Sequence, residues 1–325
     1  MNEYVIGIDV GGTNIKIMVM TTGLQTVGWR SIATRKQLGY DRISDNIIGT
    51  IEEIFAENGI NNPMVASVTM GLPGIVDKQA HRTVHLAYLQ WDGFDPCEKI
   101  GQHFDAPSFV DNDASLNALG EYRFGIQRAQ QNIVLLTLGT GVGCGIIIDG
   151  RIFRGTKNLA AEIGHMTIAA DSPEKCCFCG KEGCLEAFCS GVALERYTKS
   201  RLNEYPQSIL HRYVAENNGA FDNAFVTNGL GTGDELCAII MRRYVRYLAV
   251  GVANMMKLFN PDLVLIGGGI SNAGDALISP LAEKVKELVL HERQFCPIQQ
   301  AKLGSKAGMY GACTLAAISV GKGDA

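Results

Sequence analysis

The chain has 325 residues, a formal net charge of −4, 46% hydrophobic residues and 38 glycines. Its length exceeds what a single core usually serves, so two lobes are expected, and the composition suits a tightly turned α/β protein rather than a disordered or fibrous one. The lack of a cluster of lysines or arginines argues against nucleic acid as the main partner and says little about small anions, which backbone amides can hold.

Met1-Asn2-Glu3-Tyr4 runs straight into an apolar strand with no basic segment ahead of it, so no secretory signal is expected. No run of about 18 uninterrupted apolar residues occurs, so no membrane partner is expected and the cytoplasm is the expected location. Ten cysteines in such a chain are expected to be thiols, and the five crowded from Cys176 to Cys189 read as a metal site before a disulfide framework.

In chain order, Val5 to Asp9 is a β-type apolar run ending in a carboxylate. Gly11-Gly12-Thr13-Asn14 is a tight turn, and Ile15 to Met20 is the returning strand. Ile47, Ile48, Ile51, Ile54 and Phe55 predict a helix over 45–56. Val65 to Met70 reads as a strand broken by Gly71-Leu72-Pro73-Gly74. Strand, glycine turn and strand then recur as Ile133 to Leu138, Gly139-Thr140-Gly141-Val142-Gly143 and Cys144 to Ile148. The recurrence predicts two lobes on one plan with a cleft between them. A long helix over 234–259, a strand over 263–266 ending in Gly267-Gly268-Gly269, and a small-residue terminal helix over 308–320 complete the reading. The expected division is 1–118 for a small N-terminal lobe, 119–306 for a larger one with the cysteine loop, and 307–325 for a terminal helix packing back on the first.

Both glycine turns leave a strand, so consecutive N–H groups can face one concavity that suits phosphate oxygens. Asp9, at a strand end beside the first turn, is placed to hold a hydrated Mg²⁺ on a nucleotide. In Val110-Asp111-Asn112-Asp113-Ala114 the polar residues follow an apolar run, which suits either a turn cap or a carboxylate that takes the proton of an attacking hydroxyl, with Asn112 orienting the substrate. Glu162-Ile163-Gly164-His165 followed by Cys177-Phe178-Cys179-Gly180-Lys181-Glu182-Gly183-Cys184 offers one histidine and three cysteines, the donor set of a closed structural zinc site. Cys176 competes with Cys177 as a ligand, and Cys189 is expected to be a core residue. A pinned loop would fix Glu162 and Glu186 as acceptors for sugar hydroxyls, with His165 giving one nitrogen to zinc and the other to the sugar.

These motifs, together with Gly71-Leu72-Pro73-Gly74-Ile75-Val76-Asp77, Leu119-Gly120-Glu121, Leu185-Glu186, Asn260-Pro261-Asp262 and Ile266-Gly267-Gly268-Gly269, resemble the ROK family, specifically its glucokinase-like sugar kinases. The resemblance implies an α/β, two-lobed, ribonuclease-H-like (actin/hexokinase-type) fold with ATP, Mg²⁺ and a hexose in the interlobe cleft. It implies Asp113 as general base, and Asn112, Glu162, His165, Glu186 and Gly74 as sugar contacts. Asp9, Gly11, Gly12, Thr13, Lys16, Gly139, Thr140 and Gly141 would serve the phosphates, and Gly267, Gly268 and Gly269 the adenosine. Zinc would be held by His165, Cys177, Cys179 and Cys184, and a homodimer is implied.

The sequence departs from that pattern in three places. The stretch from His165 to Cys177 is longer by two positions, Ser115 follows Ala114 where asparagine is common, and Tyr88-Leu89 stands where an Asn-Leu pair is common. Cys184 to Gly191 and the region of Tyr205-Pro206 resemble bacterial allose kinases, so allose stands beside glucose and the N-acetylhexosamines as substrate. A sugar-responsive repressor is the reading of another class. With the first strand expected to begin by Tyr4, no preceding helix-turn-helix is expected, which favours the kinase.

Overall fold

The computed structural model describes residues 3–77, 82–86, 89, 91–176 and 179–322. Two compact units divide the chain: unit one is Met1–Gln131, Gly145–Ala161 and Lys302–Ala325, and unit two is Asn132–Cys144 and Glu162–Ala301. The boundary expected after residue 118 falls inside a helix, Asp113–Gly120, and unit one runs on to Gln131 before taking back two later segments.

Unit one opens with β1 (Glu3–Val10), β2 (Asn14–Thr21), β3 (Thr26–Ala33) and helix α1 (Gly39–Glu57). There follow β4 (Met64–Leu72), the hairpin strands β5 (Gly74–Asp77) and β6 (Arg82–Leu86), α2 (Glu98–His103), β7 (Ser108–Asn112) and α3 (Asp113–Gly120), which runs into a π-helical turn, Glu121–Gly125. The sheet order is β3-β2-β1-β4-β7, with β1 antiparallel to β2 and parallel to β4, and β4 parallel to β7.

Alternation along β1 serves both faces of this sheet, as a sheet covered on two sides requires. Ile6, Ile8 and Val10 join Ile43, Ile47, Ile51 and Ile54 of α1 in one core. Val5 joins Met309, Cys313 and Ala316 in a second. Each such aliphatic side chain contributes roughly 1.5–3 kcal/mol on burial. Gly7 sits where the second packing is tightest, since a Cβ there would come within 2.5 Å of the Met309 carbonyl. Helix α1 begins ahead of the periodic stretch because Tyr40 packs edge-on against Trp91 and Phe94, at 5.6 and 4.8 Å between ring centroids, a long-range contact without a local signature. Strand β4 continues through Gly71 and Leu72, where the sequence suggested a break, because Gly71 is paired on both sides, with Asp9 and with Asp111.

The second sheet has the order β10-β9-β8-β11-β12, built from β8 (Ile133–Leu138), β9 (Val142–Ile148), β10 (Arg151–Ile152), β11 (Leu263–Gly267) and β12 (Ile298–Gln300). The chain passes from unit two to unit one at Gly145, inside β9. Strand β11 is parallel to both β8 and β12. Position for position this repeats the first sheet, so the glycine-turn recurrence in the sequence does mark two copies of one plan. The helices of unit two are α4 (Glu186–Cys189), α5 (Gly191–Leu202), α6 (Leu210–Glu216), α7 (Ala224–Leu230), α8 (Glu235–Phe259) and α9 (Asp275–Leu288). Asp234 caps α8 by accepting the Cys237 N–H at 2.9 Å, and Asn260 in the left-handed region ends it. The chain closes in unit one with α10 (Ala307–Ser319). No described helix is long and apolar enough to cross a membrane.

Candidate active site

In unit one the expected residues gather at the carboxyl ends of the parallel strands, where open α/β sheets present ligand sites. Asp9 is paired with Gly71 and Gly71 with Asp111, so the three form a row across β1, β4 and β7. Burial pushes the Asp9 carboxyl above its usual range, against the pull of Lys16, whose Nζ lies 3.6 Å from Oδ2. A buried carboxylate with one nearby ammonium suits a site for a further cation. The turn after β1 is closed by Gly11 N–H donating to Asn14 O at 2.9 Å, and the Thr34 hydroxyl donates to Gly11 O at 2.7 Å. Gly12 and Thr13 at its tip are exposed.

Asn112 and Asp113 follow Asp111 directly. Asn112 is the N-cap of α3: its Oδ1 accepts from Ser115 N at 3.0 Å and its Nδ2 donates to Gly74 O at 3.2 Å. The cap reading of this stretch therefore holds, and Asn112 has a second N–H left for a ligand. Asp113 begins the helix with Oδ1 accepting from Ala114 N at 2.8 Å. Gly74 has φ 126° and lies against the His85 carbonyl, a place only glycine fits.

Unit two brings the other expected residues together. Gly268, at φ 82°, packs against the Leu138 backbone, so the turn after β11 lies beside the end of β8, from which Gly139-Thr140-Gly141 departs. Gly191 N donates to Gly139 O at 2.7 Å. Glu186 is buried: its Oε2 accepts from Val142 N at 3.0 Å, and its Oε1 accepts from Cys176 Sγ at 2.9 Å. Gly164 packs on the Val142 carbonyl. His165 turns Nε2 toward Glu162 Oε2 at 4.0 Å and Nδ1 toward Cys176 Sγ at 3.5 Å. Burial, reinforced by the like charge of Glu186, holds the Glu162 carboxyl above its ordinary value, against the pull of His165.

His165, Cys176 and Cys179 place donor atoms within 4.8 Å of one another, and Cys184 Sγ lies 3.8 Å from Cys179 Sγ. In a tetrahedral zinc site with bonds of about 2.3 Å to sulfur and 2.0–2.1 Å to nitrogen, sulfur–sulfur edges are about 3.8 Å and sulfur–nitrogen edges about 3.6 Å. The Cys179–Cys184 pair and the His165–Cys176 pair are close to those edges, while Cys184 falls outside the group of three whose donor atoms all lie within 4.8 Å of one another. Cys177 lies outside the described residues, as does Tyr88. Cys189 is buried, as expected of a core residue.

Three partnerships escaped sequence reasoning because their members are far apart in the chain. Arg154 pairs with the buried Asp111, and Glu121 accepts the backbone N–H groups of Lys302 and Leu303 at 3.0 and 2.7 Å. Gly308 of α10 faces the Asp9 carboxylate. A charged residue two positions after β10 and a glycine in a small-residue helix carry no local signal.

The ROK family model matches residues 5–318. This chain belongs to the ROK family. The ROK protein is 31% identical to the glucokinase of Halalkalibacterium halodurans over 311 residues, 95% of this chain and 94% of that one. Its structure is similar to that of a ROK family glucokinase from Streptomyces griseus in complex with glucose and AMPPNP, with a TM-score of 0.79 and 30% identity over 96% of this chain and 99% of the other. The fold is thus the actin/hexokinase-like one of the ROK glucokinases. The ROK protein is also 29% identical to the xylose repressor of Caldicellulosiruptor bescii over 318 residues, 94% of this chain and 76% of the repressor.

Proposed function

We propose that this ROK protein is a cytosolic, ATP-dependent hexose kinase that transfers the γ-phosphoryl group to the 6-hydroxyl of an aldohexose. The observation that carries the reading is the strand-end row of unit one. One edge of one sheet supplies a carboxylate suited to a cation, Asp9, and the Asn112-Asp113 pair suited to a hydroxyl. The glucokinase relatives support it.

In the reaction the hydroxyl oxygen forms a bond to the γ-phosphorus, the bond from that phosphorus to the bridging oxygen breaks, ADP leaves, and the hydroxyl proton passes to Asp113. Sugar contacts are proposed for Glu162, His165 and Glu186, which accept or donate hydrogen bonds to hydroxyls, and likewise for Asn112 and Gly74. The turns at Gly11-Gly12-Thr13 and Gly139-Thr140-Gly141, with Lys16, meet the charge that spreads over the phosphoryl oxygens. Gly267, Gly268 and Gly269 leave room for adenosine. Mg²⁺, when bound at Asp9, neutralises phosphate charge. Zinc would be held by His165, Cys179, Cys184 and one of Cys176 or Cys177, and with four protein ligands its part would be structural. The protein acts as a homodimer.

An ADP-release assay over glucose, mannose, allose, fructose and the N-acetylhexosamines tests this reading, with turnover expected on an aldohexose and lost in Asp113→Ala. Turnover of the variant near that of the parent would refute the base. Glucose is the first candidate, and allose or an N-acetylhexosamine is the alternative within the family. The similarity to a xylose repressor supports a second reading, a sugar-responsive regulator. Sugar-released binding to specific DNA in a gel shift, without turnover, would favour it.

A further inference from the structure

We propose that Arg154 is a positioning residue for the phosphoryl-transfer step: acting through Asp111, it fixes the strand end from which Asp113 projects. The proposal rests on the assignment of Asp113 as base.

Asp111 is 4% exposed, at the end of β7. Arg154 Nε lies 3.0 Å from its Oδ2 and 3.4 Å from its Oδ1, and Nη2 lies 2.5 Å from Oδ2. Two nitrogens of one planar guanidinium thus grip one carboxylate, which fixes its orientation as a single ammonium would not. The oriented carboxylate passes the constraint along the chain. Its Oδ1 accepts the Asn112 N–H at 2.9 Å, which holds the peptide plane linking Asp111 to Asn112. Asn112 Oδ1 in turn caps α3 at Ser115 N, and Asp113 is the first residue of that helix. Guanidinium, carboxylate, amide and cap form one series that ends where the base begins.

Arg154 is itself held. It follows β10, and its carbonyl accepts the Ala160 N–H at 3.0 Å, closing a loop whose left-handed residues are Gly155 and Asn158. Its side chain is 19% exposed, so the pair is shielded on both members. An ion pair serving stability alone can be replaced by neutral groups of similar size with little loss. A positioning pair cannot, because its geometry is what matters. The two roles therefore predict different outcomes when both charges are removed together.

The test is steady-state kinetics on the full chain, with ATP and the hexose that it phosphorylates, for Arg154→Gln, Arg154→Lys, Asp111→Asn/Arg154→Gln and Asp113→Asn, with thermal melting of each. Arg154→Gln is expected to lower kcat about 100-fold, the cost of a reacting group displaced by about 1 Å, with KM for ATP within about twofold of the parent. Arg154→Lys recovers part of kcat, because it keeps the charge but not the fork. The double variant removes the stranded buried charge, so its melting temperature returns toward the parent while kcat stays low. It also carries the test if Arg154→Gln does not fold. A double variant or Arg154→Lys with kcat within about threefold of the parent, or a loss confined to KM, overturns the positioning role. If Asp113→Asn is itself active, the base assignment fails first. If Asp113→Asn is dead while the Arg154 variants turn over normally, only the positioning role fails.

Discussion

Gly308 leaves no space for even a methyl group against Asp9: a Cβ at Gly308 would stand 2.6 Å from the carboxyl carbon and 2.8 and 2.9 Å from its two oxygens. The contact sets the first turn of α10 against the end of β1, and the side chain it confines is the one assigned to the nucleotide's cation. In a helix alanine is about 1 kcal/mol better than glycine, so folding alone would welcome the substitution. Gly308→Ala is therefore expected to hold or raise the melting temperature while lowering kcat with ATP on the order of 100-fold, through a displaced carboxylate. Parallel melting and kinetic measurements check this, and a variant with full activity would remove Asp9 from the proposed chemistry.

Glu121 gives a pH dependence with a definite sign. Burial holds its carboxyl above the ordinary value of 4.5, although the Leu303 and Lys302 amides pull the other way. Between the ordinary and the raised value the native state holds more protons than the unfolded chain, so stability falls as pH rises through that interval and is level above it. Glu121→Gln abolishes this titration and also turns a donor toward one of two amides that need acceptors, at a cost of about 1–3 kcal/mol. Urea unfolding between pH 4 and 8 should show a lower and flatter curve for the variant. Curves that run parallel would show that Glu121 does not titrate differently in the native state.

Much of this could be read from the sequence because it is written in local pattern. Val5 to Asp9 and Ile133 to Leu138 are apolar runs that end at glycine turns, and the two sheets they open share one strand order. The periodic isoleucines of α1 and the long apolar face of α8 are equally local. What stayed hidden depends on partners brought together by folding. Nothing near Arg154 names Asp111, 43 residues away, and nothing near Glu121 names Leu303. The start of α1 was missed because Tyr40 is ordered by Trp91 and Phe94 rather than by its neighbours in sequence. At the cysteine cluster the pattern alone left Cys176 and Cys177 as competitors, and the fold brings Cys176 to His165.

Gly268 and Gly269 look alike in sequence and do different work. Gly268 is left-handed, and a Cβ there would come within 2.6 Å of both the backbone nitrogen and the carbonyl carbon of Leu138. A Cβ on Gly269 would meet nothing within 4 Å. Gly268→Ala is expected to lower stability by about 3 kcal/mol, from backbone strain and overlap together. Gly269→Ala should change stability by no more than about 0.5 kcal/mol. If adenosine lies against this turn, the same variant raises KM for ATP several-fold and leaves KM for the sugar alone. Equal KM values for ATP in the parent and Gly269→Ala would move the adenosine elsewhere.

Glu186 ties the cysteine cluster to the turn after β8, because one carboxylate accepts from Cys176 on one oxygen and from Val142 on the other. Its place is further confined by Gly141, where a Cβ would come within 2.6 Å of Oε2. If zinc organises His165 and the thiolates, removing it frees the loop that holds His165 and Glu186, the two groups proposed to meet the sugar. Metal analysis of protein never exposed to chelator is expected to find about one zinc per chain. Chelation should then raise KM for the hexose at least tenfold and lower the melting temperature, with KM for ATP changed much less, and restored zinc should reverse both effects. Cys179→Ser should reproduce the chelated state and be insensitive to added zinc, since Cys179 is within reach of both His165 and Cys176. Protein that carries no zinc yet binds its sugar normally would leave zinc without a part in the sugar site.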